Sequence, residues 1–178
     1  MVNHNEILES LLNGTISIEY NAKIWTNNFI EGDIFQVWDV LSTKKTKYPL
    51  IWLQSGYTVK ESNLPGNNHK ILQNCSFYLI TKGDEHDFNK KRYIDTYKFI
   101  IYPLLEKFKR VFSKSKGVAL GNEYEYVTFP FNEIAELENK RSKSKPQTST
   151  LSDIWDALYL NIDITINEGC YPEFKIKI

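Results

Sequence analysis

The segment "SDIWDALYLNIDITINEGC", Ser152 to Cys170, constrains this chain more than any other. From Leu158 onward Leu158, Leu160, Ile162, Ile164 and Ile166 alternate with Tyr159, Asn161, Asp163 and Thr165 without a break. A period of two over this length predicts a half-buried β-strand, with one face on a core and the other facing water or a partner. The core face needs a cover. It also dictates that Asp163 lies mid-strand on the polar side.

The cover is legible upstream. In "FNKKRYIDTYKFIIYPLLEKFKRVFSK" the residues Ile94, Tyr97, Ile101, Leu104, Leu105, Phe108 and Phe112 fall on one face at helical spacing. Asp84 or Asp87 would cap this helix, and Pro103 should kink it because it removes one backbone donor. A short N-terminal helix capped by Asn5 offers Ile7, Leu8, Leu11 and Leu12, and Asn13-Gly14 closes it. The stretches "TISIEY", "IFQVWDVL", "YPLIWLQSGY", "ILQNCSFYLITK" and "GVALGNEYEYVTFPFN" read as strands from their β-branched and aromatic content. "NLPGNNHK" reads as a loop, and "FKIKI" as a last edge strand. The expected fold is α+β: a mainly antiparallel sheet carrying the long helix and the short N-terminal helix on one face. The alternating apolar residues of the 158–166 segment should pack under Tyr97, Ile101, Leu105, Phe108 and Phe112.

At 178 residues one domain, 1–178, is expected, with a core that needs no staples. Lysine plus arginine equals aspartate plus glutamate at 22 each, so no global field steers the chain to a polyanion. The N-terminus lacks the pattern of a signal peptide, and no apolar run reaches membrane-spanning length, so no membrane partner is expected. Cys75 and Cys170 are the only cysteines, and both are expected as free thiols. The segment 136–150, "ELENKRSKSKPQTST", is a long polar loop inserted between strands.

Catalytic chemistry is hard to find. His4, His69 and His86 are scattered, and no phosphate-binding glycine loop is present. "GDEHD", Gly83 to Asp87, gathers carboxylates and a histidine, but reads better as an acidic helix start than as a cation site. No metal, cofactor or enzymatic activity is expected. Two basic clusters stand out: Lys107, Lys109, Arg110, Lys114 and Lys116 at the end of the long helix, and Lys140, Arg141, Lys143 and Lys145 in the polar loop. Cations suit a helix C-terminus and solvate a loop, and this is the plainer reading. Contact with nucleic-acid phosphates is the sharper one.

Three segments in order, "YPLIWLQ" leading into "FYLITK", then "RYIDTYKFIIYPLLEKF", then "SDIWDALYLNIDITINEGC", resemble the neck and tail-terminator-like ring proteins of tailed bacteriophages, including those of the crAss-like kind. The resemblance spans roughly Tyr48 to Cys170 and carries no catalytic motif. It implies a virion structural protein assembled in the host cytoplasm. Copies would close into a six-fold or twelve-fold ring around the DNA channel, between the portal and adjacent neck or tail rings. On that expectation Tyr159, Asn161, Asp163, Thr165, Lys175 and Lys177 are candidate subunit contacts. Lys114, Lys116, Lys140, Arg141, Lys143 and Lys145 are candidate contacts to DNA or to an adjacent ring. The alternative is a monomeric nucleic-acid- or protein-binding module working through the clusters at 107–116 and 140–145.

Overall fold

The computed structural model describes residues 3–43, 48–64, 67–83, 89–128 and 155–167. The polar loop 136–150, the terminal "FKIKI" strand, the Asp84 and Asp87 caps and Cys170 therefore lie outside the described residues. The elements run α1 (His4–Leu12), β1 (Ser17–Tyr20), β2 (Lys23–Thr26), β3 (Asn28–Gly32), α2 (Ile34–Thr43), β4 (Leu50–Gln54), β5 (Thr58–Leu64), β6 (Asn67–Lys82), α3 (Asn89–Arg92), a π-helical segment (Tyr93–Ile101), α4 (Tyr102–Lys114), β7 (Val118–Thr128) and β8 (Trp155–Asn167). The main sheet has the order β3-β4-β6-β8-β7, with β5 paired to the first half of β6. Only β3 and β4 run parallel, and every other described pairing is antiparallel. The chain is α+β, as its pattern of elements predicts.

The central strands follow from their alternation. Leu158, Leu160, Ile162, Ile164 and Ile166 are all buried and share one core cluster with Tyr97, Ile101, Leu104, Leu105, Phe108 and Phe112 of the long helix. Cys75, Phe77 and Leu79 of β6 join them, and Ile7, Leu8 and Leu12 of α1 close the same layer. Each buried side chain of this size contributes about 1.5–3 kcal/mol relative to exposure.

Two devices tie the layer's ends. Asn27 is buried, accepts from the Ile16 N–H at 2.8 Å and donates to the Leu12 carbonyl, so it clips α1 to the strands that follow. At the far end Asp156, 0% exposed, accepts from the Arg92 guanidinium and from the Thr96 hydroxyl. A buried carboxylate with those partners holds the long helix in one register on β8.

The long helix departs from ideal geometry where Pro103 predicts trouble. Residues 93–101 form a π-helix, and the Tyr102 N–H bonds to the Tyr97 carbonyl, five residues back. Widening the ladder before Pro103 lets the chain run through a residue that has no N–H to give. The wider turn also moves Ile94 off the α-helical stripe. It is 45% exposed, contrary to its expected place in the core.

Three further expectations are corrected. "IFQVWDVL" is the helix α2, not a strand. Its β-branched composition misleads, whereas a capping box decides: the Gln36 N–H donates to the Asp33 carboxylate and the Asp33 N–H to the Gln36 amide oxygen, each at 3.0 Å. Gly32 fits this box, since a Cβ there would meet Gln36 Oε1 at 1.6 Å. The amphipathic α2 covers the opposite sheet face, where Val37 packs with Ile30, Leu50, Trp52, Ile80 and Ala157. Next, "NLPGNNHK" is mostly strand: Leu64 pairs with Asn67, so β5 and β6 form a tight hairpin that carries His69. Finally, Asn3 caps α1 in place of Asn5, its side chain accepting from the Asn5 N–H at 3.2 Å.

Candidate functional site

The four strands β4, β6, β8 and β7 present a continuous row on the face that α2 covers only in part. The register aligns Trp52 with Tyr78, Tyr78 with Tyr159, and Tyr159 with Val127. Trp52 and Tyr78 stack at 4.6 Å between ring centroids, and Tyr78 and Tyr159 meet at 5.1 Å. Such cross-strand aromatic pairs stiffen a sheet locally. The next row, Gln54, Ser76, Asn161 and Glu125, is polar. The tyrosine hydroxyls reach into it: Tyr159 pairs with Ser76 at 3.1 Å and Tyr78 donates to Gln54 at 3.3 Å. Partial burial, with the neighbouring Tyr159 adding to it, raises the Tyr78 phenol above its ordinary value, so Tyr78 keeps its proton at neutral pH.

Of the predicted subunit contacts, Tyr159, Asn161, Asp163 and Thr165 all lie on this face of β8, as their alternation dictates. Thr165 is exposed and the other three are half-buried. Asp163 also has a partner within the protomer. Its carboxylate accepts from the backbone N–H of Asn74 at 2.8 Å. Asn74 sits at φ +58°, in the β-bulge between Leu72 and Cys75 where β6 exchanges β5 for β4 as its neighbour. Asp163 therefore satisfies a donor that the bulge takes out of the ladder. Lys175 and Lys177 lie outside the described residues.

Among the described residues β7 is the outer strand at one end of the sheet, and β3 is the outer strand at the other. Strand β7 is far more exposed than its neighbours: Tyr126 is 50% and Val127 52% accessible, on opposite faces. Tyr124 beside them is held by Lys109, whose ammonium lies 3.3 Å from its hydroxyl. Lys109 is also paired with Glu106, and that bond first, then the one to Tyr124, holds its pKa above the ordinary lysine value.

The remaining helix cations divide. Lys107, Arg110 and Lys114 line a shallow pocket of about 380 Å³ together with Thr15, Ile16, Ser17 and Val111. Lys116, also predicted as a contact, lies past the end of α4 and does not line it. Lys140, Arg141, Lys143 and Lys145 fall outside the described residues.

One polar cluster has no precedent in the sequence reading. The Tyr57 hydroxyl donates toward the Glu31 carboxylate at 2.5 Å and lies 3.0 Å from His4 Nε2 and 3.1 Å from Asn5 Oδ1. Burial and then the bond to Glu31 drive the Tyr57 phenol far above its ordinary value. Burial, outweighing the attraction of Glu31, lowers His4 below 6.5. These residues come from α1, β3 and the β4–β5 connection, so no spacing rule links them. Cys75 is a free, buried thiol raised to about 12 by burial, which makes it a poor nucleophile. Among the described residues no three His, Cys, Asp or Glu side chains converge as metal ligands, and no helix is long and apolar enough to cross a membrane.

No family model matches the sequence, and no curated protein or solved structure matches it either.

Proposed function

We propose that the chain is a structural protomer that closes with copies of itself into a ring, in the neck or tail-terminator region of a tailed bacteriophage, joining portal to tail around the DNA channel. The observation that carries the self-association is the outer strand β7, with Tyr126 and Val127 half-exposed on its two faces. A long outer strand with apolar side chains is normally covered or blocked by charge. Here the sheet's other end is β3, a different surface, so contact between the two ends would be heterologous and able to close a ring. The half-buried Tyr159 and Asn161 beside β7 would extend the seam across the sheet face. The assignment to the head–tail junction rests on the order of the three resembling segments. It involves no catalytic step.

Negative-stain electron microscopy of concentrated purified protein, alone and with the portal of the same phage, tests the reading. Closed rings of uniform copy number are expected. Monomers in both samples would overturn it. A monomeric binding module is the second reading, and the cationic pocket on α4 is the observation that favours it.

A further inference from the structure

The cations of the long helix are not equivalent. Lys109 sits on Glu106, Lys91 on Asp95, Arg92 on Asp156 and, in the sheet, Lys70 on Glu61. Lys107, Arg110 and Lys114 differ: they fall at i, i+3 and i+7 on one side of α4, all exposed, and no carboxylate lines the pocket they share. Lys107 is pinned, its ammonium donating to the Ser17 carbonyl of β1. Arg110 and Lys114 have no acidic partner among the described residues. In a chain whose formal charges cancel, this is a local excess of positive charge held against residues 15–17, which lead into β1.

The shape of the array selects among anions. At about 1.5 Å rise per residue, Lys107 to Lys114 spans about 10 Å along the helix. That is a track, which suits an extended polyanion with regularly spaced charges better than one phosphate, for which donors converge on a point. The lining also argues against a lipid surface. Its apolar members, Ile16 and Val111, are buried and half-buried, so neither apolar side chain lining the groove is free to insert between acyl chains. The hydroxyl-bearing Thr15 and Ser17 form the opposite wall, and Arg110 stands mid-track, with the planar fork that suits phosphate oxygens. We infer that the groove between α4 and residues 15–17 binds the phosphate backbone of nucleic acid, without base specificity, through Arg110 and Lys114 with Lys107 fixed beside them. This inference does not rest on the ring reading, since a monomer would carry the same groove.

The test uses the full chain and a short fluorescein-labelled DNA duplex of mixed sequence, read by fluorescence anisotropy across a salt series. Binding should weaken as salt rises. In the Arg110→Gln/Lys114→Gln variant the slope of log K against log salt should fall by about two contacts' worth, roughly 0.9 each. A Lys90→Gln/Lys91→Gln control should bind like the wild type, and circular dichroism should report all three chains folded. A second duplex of unrelated sequence should bind equally well. No binding by the wild type, an unchanged slope in the Arg110/Lys114 variant, or a matching loss in the control would overturn the inference. So would full competition by inorganic phosphate at equal phosphate concentration, or capture by phosphatidylserine vesicles with no binding to duplex.

Discussion

The two faces of β8 come from one run of residues and have opposite fates. Leu158, Leu160, Ile162 and Ile164 are sealed under the long helix, none more than 3% exposed. Their alternating neighbours Tyr159, Asn161 and Asp163 stay half-buried, and Thr165 is open. The sealed face is held by apolar area and one buried ion pair. The other face is held by aromatic stacking and hydroxyl bonds, and α2 packs over the part of it that carries Ile30, Leu50, Trp52, Ile80 and Ala157. Stability should therefore concentrate on one side of the sheet, leaving the other side and the strand that is outermost among the described residues for contacts.

The largest test of that division is Asp156→Ala, which would leave the Arg92 guanidinium, 13% exposed, without its carboxylate. Losing one member of a buried pair costs about 3–5 kcal/mol, to be read as a lower urea midpoint. A loss below 1 kcal/mol would mean that water or another acid takes Asp156's place. Next comes Ile162→Ala, at about 2–5 kcal/mol for a buried branched side chain. Its neighbour Asn161→Ala should cost about 0.5 kcal/mol or less, as a surface change does. Equal losses at 161 and 162 would erase the difference between the faces.

The sequence disclosed the sealed face almost completely, because an alternating strand and a helical stripe of large apolar residues have one way to meet. It disclosed the other face poorly. Helix α2 was hidden by Val37, Val40 and Phe35, residues that favour strands, although Asp33 and Gln36 at capping-box spacing were there to be read. The bulge at Asn74 and its link to Asp163 span 89 positions, and the contact of Tyr57 with His4 spans 53. Neither leaves a local pattern. The phosphate groove was half legible: the cations were plain in the sequence, but the wall built by Thr15 and Ser17 required the fold.

A smaller effect comes from His4 at the start of α1. Its folded-state pKa lies below 6.5 because burial penalises the charged ring. As pH falls below 6.5 the unfolded chain takes up the proton first, so stability declines and levels off below the folded value. Above 6.5 the contribution is fully present. The urea midpoint measured from pH 8 to pH 5 should lose part of its slope in His4→Gln. An identical pH profile in that variant would assign the acid sensitivity elsewhere.

Folding by the sealed face and association by the outer strand are separated by sedimentation velocity of Val127→Lys beside the wild type, paired with urea unfolding. A lysine on an outer strand blocks sheet-to-sheet contact and costs the isolated fold about 0.5 kcal/mol or less. A concentration-dependent oligomer is expected for the wild type, a monomer for the variant, and matching unfolding midpoints for the two. Identical sedimentation of the two proteins, or a variant that no longer folds, would contradict that separation.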